Sequence, residues 1–206
     1  MSVKPEIALV IVDTQEDFVN GSLGSDAAKA IVTNVVGAID SVTAKNPNAQ
    51  VITTQDTHSD ETYLETREGK YLPVKHCIIN TKGWEIVPEI KGRLKSLKYR
   101  TITKEDFGSQ EWQEFEPILH CVKTIVLVGL CTDICVVTNA LILRTAYPDA
   151  RIITLSDCCA GTSQEAHEAA LLTMKSCQIE VMTLEEFNKG GYENNILLPN
   201  NEDKED

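Results

Sequence analysis

Apolar residues occur along this chain in short unbroken runs, and between the runs they recur at helical spacing. Ile7-Ala8-Leu9-Val10-Ile11-Val12 is a continuous apolar segment of strand length that stops at Asp13 and a polar loop carrying Gly21 and Gly24. Ile31, Val35, Val36 and Ile39 then follow a 3.6-residue period, which predicts a helix ended by the turn signal Asn46-Pro47-Asn48. Val51-Ile52-Thr53-Thr54 predicts a second strand. Beyond it lies a polar stretch, residues 55–82, that is long for a connection inside a compact domain and therefore a place to look for function.

Further along, the pattern predicts a helix over 84–94, a short strand near 100–103 and a helix start at Ser109-Gln110-Glu111-Trp112. Thr124 to Val128 forms a β-branched run that breaks at Gly129 and restarts as a helix over about 133–144. Tyr147-Pro148-Asp149 turns the chain into the apolar run 151–155. Ser163 is placed to cap a helix reaching Met174, and Ile179, Val181 and Met182 supply a last strand. Strands that alternate with helices, and that read as continuous apolar runs, are buried on both faces. The fold class expected is therefore α/β, a three-layer α/β/α sandwich with a central, mostly parallel, Rossmann-like sheet.

Composition narrows the reading. At 206 residues one domain is the default, expected over 1–198, with an acidic, apolar-poor tail at 199–206 that lacks the means to form a core. No apolar run approaches the length that spans a bilayer, and the first residues carry no secretory pattern, so a cytoplasmic, membrane-free protein is expected. A net charge of −12 argues against a nucleic-acid partner. Seven cysteines, scattered and without a C-x-x-C pair, read as reduced thiols and not as a disulfide framework or a structural zinc knuckle.

Chemistry-bearing residues stand where strands end. Asp13 follows the first strand, Asp56 and His58 the second, Lys104 the short third and Cys135 the run 124–128. Parallel strand ends converge on one sheet edge, so residues remote in sequence become neighbours there. Asp13, Lys104 and Cys135 form a sensible trio: a base, an ammonium that stabilises a thiolate, and a nucleophile whose pKa a helix N-terminus lowers. Asp56-x-His58, with His76 later in the same loop and Glu65 as a further donor, has metal-ligand character. Each residue also has a plain structural alternative: a buried cysteine, a capping aspartate, a solvated lysine, surface histidines. His167 reads as a structural or surface residue of its helix.

In order, these motifs resemble those of the isochorismatase-like cysteine hydrolases, and among them the nicotinamidases. D-x-Q-x-D-F is matched by Asp13-Thr14-Gln15-Glu16-Asp17-Phe18. The D-x-H and H-C elements are similar to Asp56-Thr57-His58 and His76-Cys77, with Asn80-Thr81-Lys82-Gly83 after them. Lys104-Glu105-Asp106-Phe107-Gly108-Ser109 looks like the lysine-bearing element, and Gly129 to Val136 like the nucleophile signature G-x-x-T-D-x-C-V.

The resemblance implies Cys135 as nucleophile, Asp13 as general base and acid, Lys104 as third member of the triad, and a cis peptide between Leu130 and Cys131 that orients oxyanion donors. It implies a divalent metal (zinc, iron or manganese) on Asp56, His58 and His76. The reaction implied is hydrolysis of a small amide through a thioester, nicotinamide to nicotinate and ammonia, in a protein that is often a homo-oligomer. The loop departs from the nicotinamidase pattern after His58, and Pro73 stands where a pocket aromatic is common. Phe18 and Tyr71 are then the candidate pocket aromatics. A related amidase or carbamoyl hydrolase is the alternative enzyme, and an inactive binding protein the alternative of another class.

Overall fold

The computed structural model describes residues 6–119 and 121–191, so the acidic tail expected at 199–206 lies outside the described residues. Six strands form one sheet: β1 (Ile7–Val12), β2 (Gln50–Asp56), β3 (Tyr99–Lys104), β4 (Thr124–Leu130), β5 (Arg151–Ala160) and β6 (Glu180–Met182). The helices, in chain order, are α1 (Glu16–Val19), α2 (Asp26–Lys45), α3 (Arg67–Tyr71), α4 (Pro88–Leu94), α5 (Glu116–Leu119), α6 (Val137–Ala146), α7 (Gln164–Ser176) and α8 (Leu184–Glu186). Strand order is β3-β2-β1-β4-β5-β6 and every paired strand is parallel.

The continuous apolar runs follow from burial on two sides. Ile7, Leu9 and Ile11 join a core with α2, α4 and Phe187, whereas Ala8, Val10 and Val12 join a second core with α6, α7 and Trp112. Period-two alternation carries no polar signal here because both faces meet helices. Among the described residues no helix is long and apolar enough to cross a membrane.

The helix expected over 84–94 starts only at Pro88. Residues ahead of it are engaged elsewhere: Val87 N–H donates to the Thr14 carbonyl, Glu16 N–H to the Glu85 carbonyl, and Ile86 bridges Gln15. Proline at the first helical position needs no hydrogen bond for its nitrogen, which makes it a natural start. The fifth strand also runs beyond the expected 155, to Ala160, because its register against β4 shifts between Leu127 and Gly129 and pairing resumes at Cys159 and Ala160. At that shift Gly129 has φ +122°, and a Cβ there would lie 2.1 Å from the Val12 carbonyl oxygen. Only glycine lets β4 approach β1 so closely.

In this strand order the chain leaves β1 toward one half of the sheet and enters β4 for the other. The carboxyl ends of β1 and β4 therefore flank the crevice where α/β sheets place their ligands.

Candidate active site

Asp13 lies at that crevice, fully buried, with φ +46°. The left-handed backbone turns the chain out of β1 at once and points the carboxylate across the end of β2. There the Thr54 hydroxyl donates to Asp13 Oδ1 at 2.6 Å, and the Asp13 N–H donates to both the carbonyl and the hydroxyl oxygen of Thr54. Lys104 closes β3, one strand further out and in register with Asp56. Its side chain crosses the end of β2 to place Nζ 2.6 Å from Asp13 Oδ2, 3.4 Å from Asp56 Oδ1 and 3.6 Å from Cys135 Sγ.

Cys135 comes from the other side. A cis peptide joins Leu130 to Cys131, and the chain then enters a wide turn over Thr132–Val136 before the regular helix α6 begins. Val136 N–H donates to the Cys131 carbonyl across that turn. The helix expected to start near 133 is thus an opened π-type turn, a form that recurs at functional sites.

Burial raises the Asp13 carboxyl, with Asp56 adding to the rise and Lys104 opposing it. Burial opposes charge on Lys104, but the carboxylates of Asp13 and Asp56 reverse this and hold the ammonium strongly protonated. The helix-terminus argument for an acidic thiol does not carry over to the resting site. Burial and then Asp13 push the Cys135 thiol well up, and the pull of Lys104 only partly offsets them. The proton therefore rests on sulfur while a carboxylate and an ammonium face it.

Against the same crevice stands a second group. Oxygens of Asp56 and Glu68 and imidazole nitrogens of His58 and His76 all lie within 4.8 Å of one another. His58 Nε2 is 2.9 Å from Asp56 Oδ2, and His76 Nε2 is 3.3 Å from the same oxygen and 3.5 Å from Glu68 Oε1. His76 Nδ1 sits 2.9 Å from the Val74 carbonyl, a contact that makes it the N–H nitrogen and leaves Nε2 to face the carboxylates. Burial works against charge on His76, but Asp56 and Glu68 outweigh it and push its pKa up to about 10. Burial likewise opposes charge on Asp56, while hydrogen bonds from His58 and His76 and the charge of Lys104 hold it well below the usual carboxylate range. Two buried imidazoles and two carboxylates converging on one point suit a divalent ion of the zinc type, with oxygen donors that manganese and iron also accept.

Two expectations need correction. Glu65 is exposed, at the end of a short 3₁₀ turn, Tyr63–Glu65, and takes no part in the cluster. Glu68 stands in that place because Thr66 caps α3, its hydroxyl accepting from Gly69 N–H, and the helical turn swings Glu68 inward. Thr66, a cap residue directly before Arg67-Glu68, was the available sequence signal. Tyr71 is 78% exposed and packs its ring beneath the Arg67 guanidinium, away from the cavity. Its neighbour Leu72 lines the cavity instead, along with Phe107. Phe18 does line it, with its ring 5.4 Å from the His76 ring. His167 accepts or donates at Nδ1 with the Thr132 hydroxyl, 2.8 Å away, and props the cysteine turn from behind.

The cavity that joins these groups measures about 390 Å³. Asp56, Glu68 and His76 mark one side and Cys131 and Cys135 the other, with Phe18, Leu23, Leu72, Phe107 and Ile134 as apolar walls. That size and makeup match sites for small organic ligands. A larger hollow of about 680 Å³ lies beside the starts of β2 and β3, and none of the groups described above lines it.

The fold is thus an α/β protein with a parallel sheet that gathers a thiol, a carboxylate and an ammonium at its switch point. The chain belongs to the isochorismatase domain family, whose model matches residues 7–186. Nicotinamidase 1 of Arabidopsis thaliana is 37% identical over 87 residues, a match that takes in 37% of this chain and only 34% of that relative. Among solved structures, a pyrazinamidase of Pyrococcus horikoshii in complex with zinc is 27% identical, with a TM-score of 0.71 over 87% of this chain and 99% of that one. A nicotinamidase from Bacillus subtilis has the same fold, at 24% identity and a TM-score of 0.73, covering 86% of this chain and 99% of that one.

Proposed function

We propose that the protein is a metal-dependent cysteine amidohydrolase that converts nicotinamide to nicotinate and ammonia. The observation that carries this reading is the position of Lys104, which touches Asp13, Cys135 and Asp56 at once and so joins a nucleophile, its base and a metal-ligand cluster around one small cavity. The zinc-bound pyrazinamidase among the structural relatives supports the same chemistry.

On this reading the residues take the following roles. As Cys135 Sγ attacks the amide carbonyl carbon, its proton passes to Asp13, and Lys104 stabilises the negative charge that would otherwise build on sulfur. Backbone N–H groups of the turn after the Leu130–Cys131 peptide would receive the carbonyl oxygen as it becomes an oxyanion. Collapse of the tetrahedral intermediate breaks the carbon–nitrogen bond, with Asp13 returning the proton to the departing ammonia. Water then attacks the thioester, giving its proton to Asp13, and the carboxylic acid leaves as the Cys135 thiol re-forms. Asp56, His58, Glu68 and His76 would hold a divalent ion, which would supply Lewis-acid character beside the substrate. Phe18, Leu72 and Phe107 would enclose the flat faces of the nicotinamide ring.

Ammonia release from purified protein and nicotinamide, measured with added zinc and again with a chelator, tests the reading. Turnover that depends on metal supports it. Absence of turnover under zinc, iron(II) and manganese, with hydrolysis of another small amide, transfers the same machinery to a different substrate.

A further inference from the structure

Gln15 is fully buried one turn of chain beyond Asp13, and it touches neither the cavity nor any reacting group. Its side-chain amide is saturated by three hydrogen bonds, and two of them go to the backbone of one residue. Gln15 Oε1 accepts from the Asp56 N–H at 2.7 Å, and Gln15 Nε2 donates to the Asp56 carbonyl at 2.8 Å. The second amide hydrogen goes to the Trp84 carbonyl, also at 2.8 Å. The amide therefore completes on Asp56 the pair of bonds that a neighbouring strand would make, at a point where β1 has already ended.

This matters because Asp56 is the residue shared by the two halves of the site. One carboxylate oxygen faces Lys104 Nζ at 3.4 Å, and the other faces His58 and His76 at 2.9 and 3.3 Å. A small rotation of the Asp56 backbone would move both oxygens together. The side chain has only two torsions with which to compensate, and it is already committed on both sides.

We infer that Gln15 is a positioning residue for the metal cluster: by clamping both backbone groups of Asp56 it sets the carboxylate between the lysine and the two histidines. The inference rests on the reading of Asp56, His58, Glu68 and His76 as metal ligands. Outer partners that orient a ligand are typically worth roughly 10–100-fold in metal affinity.

The test is zinc affinity of the full chain, measured by competition with a chromophoric chelator and without any substrate. Gln15→Met keeps the volume and removes all three hydrogen bonds. Gln15→Asn keeps the amide but withdraws it by about 1.5 Å, one carbon–carbon bond. Gln55→Met serves as the control, because Gln55 Nε2 donates to the same Trp84 carbonyl without holding the backbone of Asp56. The expected result is zinc binding weakened about 10–100-fold in whichever Gln15 variants fold, and within about threefold of the parent in Gln55→Met. Unfolding temperatures in zinc-free buffer separate this from a general loss of stability. Parental zinc affinity in a folded Gln15 variant, or an equal loss in Gln55→Met, overturns the inference. Failure of both Gln15 variants to fold also overturns it, since Gln15 would then serve the fold itself. A parent chain that binds no zinc overturns the metal reading and the Gln15 inference together.

Discussion

Lys104 Nζ stands 2.6 Å from Asp13 Oδ2, although the two residues end strands that are not neighbours in the sheet. Both side chains are almost wholly removed from solvent. A charge pair in such a place is costly to break, because the partner left behind keeps its burial and loses its counter-charge. Lys104→Met should therefore lower stability by about 3–5 kcal/mol and cut hydrolysis by roughly 10²–10³-fold. Urea unfolding and a steady-state ammonia assay read the two effects. A variant as stable and as active as the parent would show that the ion pair contributes nothing.

The proposed division of labour between Asp13 and Cys135 has its own signature. Cys135→Ala should leave no turnover and a native unfolding profile, since the residue is small, buried and not part of any charge pair. Asp13→Asn keeps the side-chain shape but removes the nearest counter-charge of Lys104, so it should lose stability as Lys104→Met does and also about 10²–10⁴ in kcat, the usual worth of a general acid–base. Detection of an acyl adduct on Cys135 by intact mass in a slow-turnover Asp13→Asn reaction would tie both to one pathway. Full activity in Cys135→Ala excludes the thioester route.

Reactivity of the resting thiol should depend steeply on pH. The folded-state pKa of Cys135 lies well above its ordinary value, because burial and Asp13 disfavour the thiolate more than Lys104 favours it. The reactive form is the thiolate, so its population rises as pH rises toward that raised pKa. Iodoacetamide labelling of Cys135 in the ligand-free protein, followed by peptide mass spectrometry, should climb without a plateau up to about pH 9, above the ordinary thiol value. A plateau below pH 7 would mean that Lys104 dominates and that the thiolate is preformed.

Glu68 and Glu65 offer a direct comparison within one loop. Glu68→Ala removes one of four convergent donors and should weaken zinc binding, with hydrolysis falling in parallel at limiting metal and recovering as metal is added. Glu65→Ala changes only an exposed carboxylate and should behave as the parent. Metal titrations of both variants decide the matter, and equal behaviour of the two would remove Glu68 from the cluster.

Close approach of β4 to β1 makes Gly129 sensitive to a single methyl group. Gly129→Ala would place Cβ 2.1 Å from the Val12 carbonyl oxygen at a φ of +122°, so the strands must separate beside Asp13. A loss of about 1–3 kcal/mol is expected from overpacking, measurable in a denaturant titration. An unchanged midpoint would mean that the strand ends are free to shift.

Much of the architecture was legible because parallel strands covered on both faces leave continuous apolar runs, as in Ile7–Val12. The strand-end positions of Asp13, Lys104 and Cys135 were legible for the same reason, since run boundaries locate the sheet edge. The loop after β2 was harder to read. Its bends depend on capping and on distant partners, such as the Cys77 N–H that donates to Asp17 Oδ2 across sixty positions of sequence. Periodicity carries no information about such contacts, and so it offers Glu65 and Tyr71 where the structure brings Glu68 and Leu72 to the cavity.

By itself, then, the sequence determined the α/β class, the order of its elements and the residue types gathered at one sheet edge, because burial imposes a local pattern on the chain. Only the tertiary structure decided that Lys104 reaches across β2 to meet Asp13, that Glu68 completes the cluster with Asp56, His58 and His76, and that the Cys135 thiol is raised and not lowered. Each of these depends on distance and desolvation between segments remote in sequence, and those quantities exist only once the chain is packed.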